Sequence, residues 1–478
     1  MESRPVYYKW FTKIVSICID IFFVLSVISS LFVFTSFING VWKYLLFMLI
    51  FAAYICIMYF YKDRIRKLIN EAIRVFDSLD SKKMILIIVF TSLFAKIIYT
   101  NLFYFDSTQG GDISIYNEIA NQIVATGELK SSAISHLFGL AAHLALMKTI
   151  GMPLHFGTYI AILTGTLFNF VSASRIFGKS RSFLATMTFI LMPSTCFLSM
   201  CITHEIFVYL YLSIFVFLIN SFLRSTDARK TIILSLLLVI DIILTCIVNP
   251  AGYIIYVILM LLVLLSNLGN AKKVCLIFVL LFSILGSKAI DKLIDVNEYE
   301  TTINTYSILI HGSNIGSMGE QQDGFPHMKM REYLTENGME FNHDNFKIAA
   351  RAVLFNQYKY LLSHPFDLLR IIVHKIYIQW SGVHYPIELA YVYKSIGIVL
   401  YCIILGLNSL IYLFALSIKM IFRKKTEDQI DIVNYKLAIL GVLAITMLSV
   451  VLNKYLLYIT LFIYIVSINE TNEVMEND

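Results

Sequence analysis

Apolar runs of about 20 residues, each long enough to cross a hydrocarbon core, recur from one end of this chain to the other. No single soluble core absorbs that much greasy sequence. Of its 478 residues, 58% are hydrophobic and only 15% charged, against roughly a quarter charged in a soluble domain. The reading is an all-α polytopic membrane protein, because a helix satisfies its backbone hydrogen bonds within one segment in lipid. The functional question is which water-facing segments carry chemistry.

Spans are expected near 14–37, 43–61, 84–104, 153–177, 182–200, 205–223, 231–249, 251–268, 272–290, 393–421, 435–452 and 455–470, about twelve transmembrane helices by the length criterion. Basic residues cluster between them: Arg64, Arg66, Lys67, Lys82 and Lys83; Arg175, Lys179 and Arg181; Arg224, Arg229 and Lys230; Lys272 and Lys273; Arg423, Lys424 and Lys425. With the N-terminus cytoplasmic, every cluster falls on the cytoplasmic side, as the positive-inside rule requires. A multi-pass cell (plasma) membrane protein with both termini cytoplasmic is expected. The net charge of +6 is accounted for by these clusters and is no nucleic-acid signature. The seven cysteines all lie in or beside apolar segments and read as small core hydrophobes. The first apolar run is longer than a signal h-region and reads as a start-transfer helix.

Four regions follow. Residues 1–83 hold two spans and a basic amphipathic helix, Lys62 to Lys83, expected on the inner leaflet. Residues 84–290 form a transmembrane module with a first outer loop over 105–152. Residues 291–392 form a mixed extracytoplasmic region, and 393–478 the last spans. His136 to Ile150 and His364 to Trp380 are left out as interfacial helices, the first being short and interrupted by His143, the second carrying Asp367, Arg370, His374 and Lys375.

Asp112 follows the Gly110-Gly111 turn in the first outer loop, ahead of a helical pattern with Ile115, Ile119 and Ile123 on one face and Tyr116 and Ala120 a turn apart. A carboxylate at a helix start is favoured by the dipole and held still. It suits helix capping or, beside a membrane, a general base toward an incoming hydroxyl. Glu205 follows Thr203-His204 at the outer end of a span with Pro193 inside it; it reads as a second acid at that surface or as a solvated hairpin residue. Arg370 and His374 share a helix face, with Lys375 beside them, suited to a lipid phosphate or to snorkelling. Asp20, Lys96 and Asp241 fall inside spans, Lys96 placed to snorkel. His136, His143, His311, His327 and His384 lack metal-ligand spacing and read as surface or interface histidines. No nucleotide or zinc motif occurs.

The order of these pieces resembles the GT-C superfamily of membrane glycosyltransferases, specifically the dolichyl-phosphate-mannose–protein mannosyltransferase and aminoarabinose-transferase-like branch. The likeness runs from Met84 to Trp380 through Asp112, Tyr116, Ala120 and Gly127 in the first loop, Pro193 and Glu205 in a helical hairpin, and Gly312, Asn314, Gly316, His364, Pro365, Lys375 and Trp380 in the outer region. It implies a GT-C-like fold and an enzyme that moves a sugar from a polyprenyl-phosphate-linked donor to an acceptor hydroxyl at the outer face, inverting the anomeric carbon. By resemblance Asp112 is the general base and Glu205 positions donor or acceptor, with Tyr116 and His204 beside them.

Two features depart from the family pattern. Asn249-Pro250 stands where many relatives carry a basic residue before proline, and no Pro-Pro occurs around His136. Phosphate contact by resemblance then falls to Lys288, Lys292, Arg370, His374 and Lys375. No cofactor is marked, and no second acid makes a DxD with Asp112, leaving divalent-metal dependence open. The acceptor is a glycan, a teichoic-acid-type polymer, a glycolipid or a protein, and the Ile, Lys, Asn, Tyr and Phe richness leans bacterial. Two alternatives stand beside this: a membrane polysaccharide polymerase or ligase, which relies on arginines and histidines in late outer loops, and a secondary transporter or lipid flippase leaning on Asp20 and Asp241.

Overall fold

The computed structural model describes residues 6–33, 35, 40–103, 112–128, 135–199, 202–265, 268–294, 298–320, 324–381, 430–448 and 457–469, with scattered positions between 407 and 418. Every element among them is helical. Among the described residues six helices are long and apolar enough to cross a membrane. They are α1 (Val6–Val33, apolar over Trp10–Leu31), α2 (Val41–Asp77), α6 (Leu154–Phe177), α9 (His204–Arg224), α10 (Ala228–Val248) and α12 (Asn270–Leu293). The others in the bundle are α3 (Ser81–Phe103), α4 (Asp112–Thr126), α5 (Ser135–Thr149), α7 (Lys179–Ile190), α8 (Pro193–Leu198), α11 (Ile254–Leu265), α17 (Ile430–Leu448) and α18 (Leu457–Asn469). The expected span over 393–421 lies largely outside the described residues.

Two expectations about spans change. The basic segment after the second span is no separate helix: α2 runs unbroken for 37 residues, about 55 Å at the helical rise, because neither glycine nor proline interrupts it. Its second half overruns a hydrocarbon core of about 30 Å and docks on the start of α7. Phe76 meets Phe183 edge-on at 5.0 Å, Ser180 donates to Asp77, and Lys179 Nζ caps the Leu79 carbonyl at 2.6 Å. The expected span over 182–200 is in turn two pieces. Proline has no N–H and disfavours helix in the residue before it, so α7 stops at Ile190 and α8 starts afresh at Pro193.

At the centre α6 lies against α9, and the two run parallel through buried polar pairs. Thr166 meets the Tyr209 hydroxyl at 3.0 Å, Asn169 donates to Ser213 at 2.7 Å, and Asn220 donates to Ser172 at 3.3 Å. α10 returns antiparallel along α9, and α12 and α5 pack on α10. The first span is part of the bundle: α1 packs on α16 (Pro365–Ser381) and α17, and Lys436 donates to Ser16 at 3.0 Å.

Arg175, Lys179, Arg224 and Lys272, from three of the basic clusters, come together at one end of this bundle, while Arg423, Lys424 and Lys425 lie outside the described residues. Arg224 caps the Arg175 carbonyl at 3.0 Å, and Lys272 caps that of Leu223 at 2.5 Å. The opposite end carries α4, α5, α8, the start of α9 and a 3-10 turn over Pro250–Tyr253, and leads into α13 (Glu298–Gly312), α14 (Phe325–Glu336), α15 (His343–Ser363) and α16. The first three of these close a small core of their own around Ile303, Met330, Leu334, Ala349 and Ala350.

Candidate functional site

The first-loop group is built on α4 and α5. Asp112 is the first residue of α4, as the sequence suggests; its side chain and the stretches 104–111 and 129–134 lie outside the described residues. The buried stripe of α4 is Ile113, Tyr116, Ala120 and Ile123, spaced by three and four residues, whereas Ile115 is 45% exposed. The expected face through Ile115 and Ile119 is therefore rotated toward Tyr116. That residue lies in the core instead of lining an open site. Gly127 ends the helix at φ +69, a left-handed conformation that glycine adopts without strain. Lys148 of α5 reaches across to the side-chain oxygens of Asn117, at 2.5 Å, and Asn121, which ties α4 down.

α5 is not the interfacial helix expected from its length. Residues 138–148 are buried or half-buried except Leu146, covered by α4, α6 and α10. Gly139 makes this possible: a Cβ there would stand 2.3 Å from the Ile247 carbonyl oxygen. His143 accordingly faces the interior and meets the Tyr211 hydroxyl at 2.5 Å. It is neither a surface nor an interface histidine.

Glu205 opens α9 at the same end of the bundle but is fully buried, so it is no solvated hairpin residue. His204 Nε2 lies 3.1 Å from its Oε1. At the end of α8, Ser199 captures a residue read as a snorkelling lysine. Lys96 is buried and donates to the Ser199 carbonyl at 2.8 Å and to its hydroxyl at 3.3 Å. Lys96, Ser92, Tyr159, Thr195, Cys196 and Ser199 line one small cavity. Only the break at Pro193, which turns α8 back over α3, could have hinted at this.

The third group lies on α16 and the loop after α13. His374 Nε2 meets Glu320 Oε1 at 2.8 Å, a partner the sequence spacing did not reveal. Lys375 is fully buried against Gly312 and Gly319. A Cβ at Gly319 would fall 2.2 Å from the lysine Cε, and its φ of +83 also favours glycine. Asn314 holds the loop by accepting from the Gly316 N–H at 3.0 Å. Burial pulls the Lys375 ammonium down from 10.5 to about 7. Arg370, one turn earlier, is exposed, as are Lys288 and Lys292 at the end of α12.

These groups share one end of the molecule but pack on different partners: α4 on α5, α9, which carries Glu205, on α6, α10 and α18, and α16 on α1, α15 and α17. Chemically the set offers an acid opening a helix, a buried acid–imidazole pair, and a lysine in a glycine-lined cradle beside exposed cations. Compared with known proteins, the chain matches no family model, no curated protein and no solved structure.

Proposed function

We propose that this chain is a membrane glycosyltransferase of the GT-C kind, moving a sugar from a polyprenyl-phosphate-linked donor to an acceptor hydroxyl at the outer face of the cell membrane. The observation that carries the reading is the start of α4 at Asp112. The body of that helix is fixed by buried Tyr116 and by the bonds from Lys148. A base acts best when its support is rigid. In the proposed step Asp112 takes the acceptor proton while the acceptor oxygen attacks the anomeric carbon from the face opposite the phosphate. The bond from that carbon to the phosphate oxygen breaks, inverting the centre. Polyprenyl phosphate leaves already ionised, so cations suffice to stabilise it; the exposed Arg370, Lys288 and Lys292 are the groups assigned to this, with buried Lys375 and Glu320-bound His374 next to Arg370 on α16. The Glu205–His204 pair positions the donor or the acceptor. Glycans, teichoic-acid-type polymers, glycolipids and proteins all offer the hydroxyl required. The basic residues Arg175, Arg224 and Lys272 at the far end of the bundle support an outward-facing site.

The test is transfer from a polyprenyl-phosphate sugar by purified protein. Asp112→Asn, isosteric, is expected to lower turnover by roughly 100-fold or more, the usual range for a general base. Wild-type turnover by the folded variant would remove the base from the mechanism. A transporter would give no transfer with either protein.

A further inference from the structure

Asp241 sits on α10 seven residues before its end, about 10 Å inside the bundle at the helical rise. It is buried, and among the described residues neither carboxyl oxygen has a hydrogen-bond or ion-pair partner. Tyr211, seven residues past the start of the antiparallel α9, lies at the same depth and within electrostatic range of it. The Tyr211 hydroxyl in turn meets His143 Nε2 at 2.5 Å, and His143 Nδ1 lies 2.7 Å from the Gly139 carbonyl. That second contact fixes the tautomer: Nδ1 carries the hydrogen and donates to Gly139, so Nε2 accepts from Tyr211. Phe207 covers the imidazole at 4.5 Å. Three helices thus bring an acid, a phenol and an imidazole into one layer below the outer end of the bundle.

An ionised carboxylate held in such a layer with no partner is strongly disfavoured, and ionisable groups at that depth usually have a task. We propose that Asp241 is a membrane-embedded proton-binding site coupled to His143 through Tyr211. The ligand is a proton, taken up as carboxylate becomes carboxylic acid. Tyr211, whose own hydrogen is committed to His143, is the neighbour through which the charge on Asp241 is felt. Other titratable groups near this layer come from every packed element. Cys246 on α10 lies within range of Asp241 and bonds to the Tyr256 hydroxyl of α11. Asp291 of α12 acts on Cys246, and both act on Tyr253 of the 3-10 turn. This site is separate from the proposed transfer chemistry and does not depend on it.

Dicyclohexylcarbodiimide, an apolar reagent that adds to protonated carboxyls within membranes, tests the proposal on the full-length protein in vesicles. The acid adds across the carbodiimide and rearranges to a stable N-acylurea, which peptide mass spectrometry localises. The Asp241 peptide is expected to be labelled at neutral pH and to lose label as the pH is raised. Asp241→Asn should carry none, and Tyr211→Phe and His143→Gln should each shift the pH of half-labelling. Absence of label on Asp241 at every pH, while added carbodiimide marks other carboxyls of the same sample, overturns the site. Half-labelling unmoved by both neighbouring variants overturns the coupling. Protection by sodium or potassium at constant pH overturns the proton as ligand in favour of a metal cation.

Discussion

Lys375 buries an ammonium that a lysine normally keeps in water, and the loop around it shows how. Gly319 leaves no room for a side chain, so the lysine stem lies directly on backbone, while its neighbour His374 turns to Glu320. The consequence can be read in stability. The folded chain holds this proton only up to about 7, against 10.5 for an ordinary lysine. Between those values the unfolded chain binds a proton that the folded chain lacks, so this residue makes stability rise with pH across that window. Below it the full desolvation penalty applies; above it none does. Lys375→Met is therefore expected to flatten the rise in melting temperature between neutral and alkaline pH. A wild-type and variant pair with parallel pH profiles would show that the ammonium is not desolvated. Asp112 marks the residue-scale limit of the sequence reading: its position as the first residue of α4 was legible, because glycines and then helical spacing announce it.

At the scale of elements, local punctuation was read well when it was strong and misread when packing overrode it. The uninterrupted stretch from Val41 to Asp77 made one helix, although its change from apolar to basic suggested two. Pro193 cut another span in two. The clearest case is α5, which looked too short and too polar to be internal. Its burial rests on Gly139, where the backbones of α5 and α10 approach closely, as small residues permit between membrane helices. Gly139→Ala would place its Cβ 2.6 Å from the Ile247 carbonyl carbon and 2.7 Å from the Val248 Cα. Backbone cannot rotate away as a side chain can. The variant is expected to lose roughly 1–3 kcal/mol, the usual cost of overpacking, measured as detergent-solubilised thermal stability. Unchanged stability would mean that α5 does not lie against α10 in this register.

At the scale of the whole molecule, the two ends differ in kind. One gathers lysines and arginines that cap helix carbonyls, as Arg224 and Lys272 do. The other carries the candidate site groups and a helical region with its own small core. In intact cells, a membrane-impermeant maleimide is expected to label Thr335→Cys on α14 and to leave Lys230→Cys at the start of α10 unlabelled until the cells are opened. Both positions are exposed. The reverse pattern would invert the topology and, with it, the proposed outward-facing site.

Composition and the period of its apolar runs were enough to make this chain a helical membrane protein, because in lipid the backbone has few other ways to satisfy its hydrogen bonds. The start of α4 at Asp112 and the helical nature of the segment carrying Lys375 were also legible, since caps, glycines and spacing act locally. The sequence could not say which faces those helices bury. That Tyr116 turns inward, that Glu205 is sealed beside His204, that Lys96 binds Ser199, and that His143, Tyr211 and Asp241 form one layer all depend on residues tens to hundreds of positions apart. In a chain apolar on nearly every face, hydrophobic pattern no longer marks the core. The packing of helix against helix made those choices.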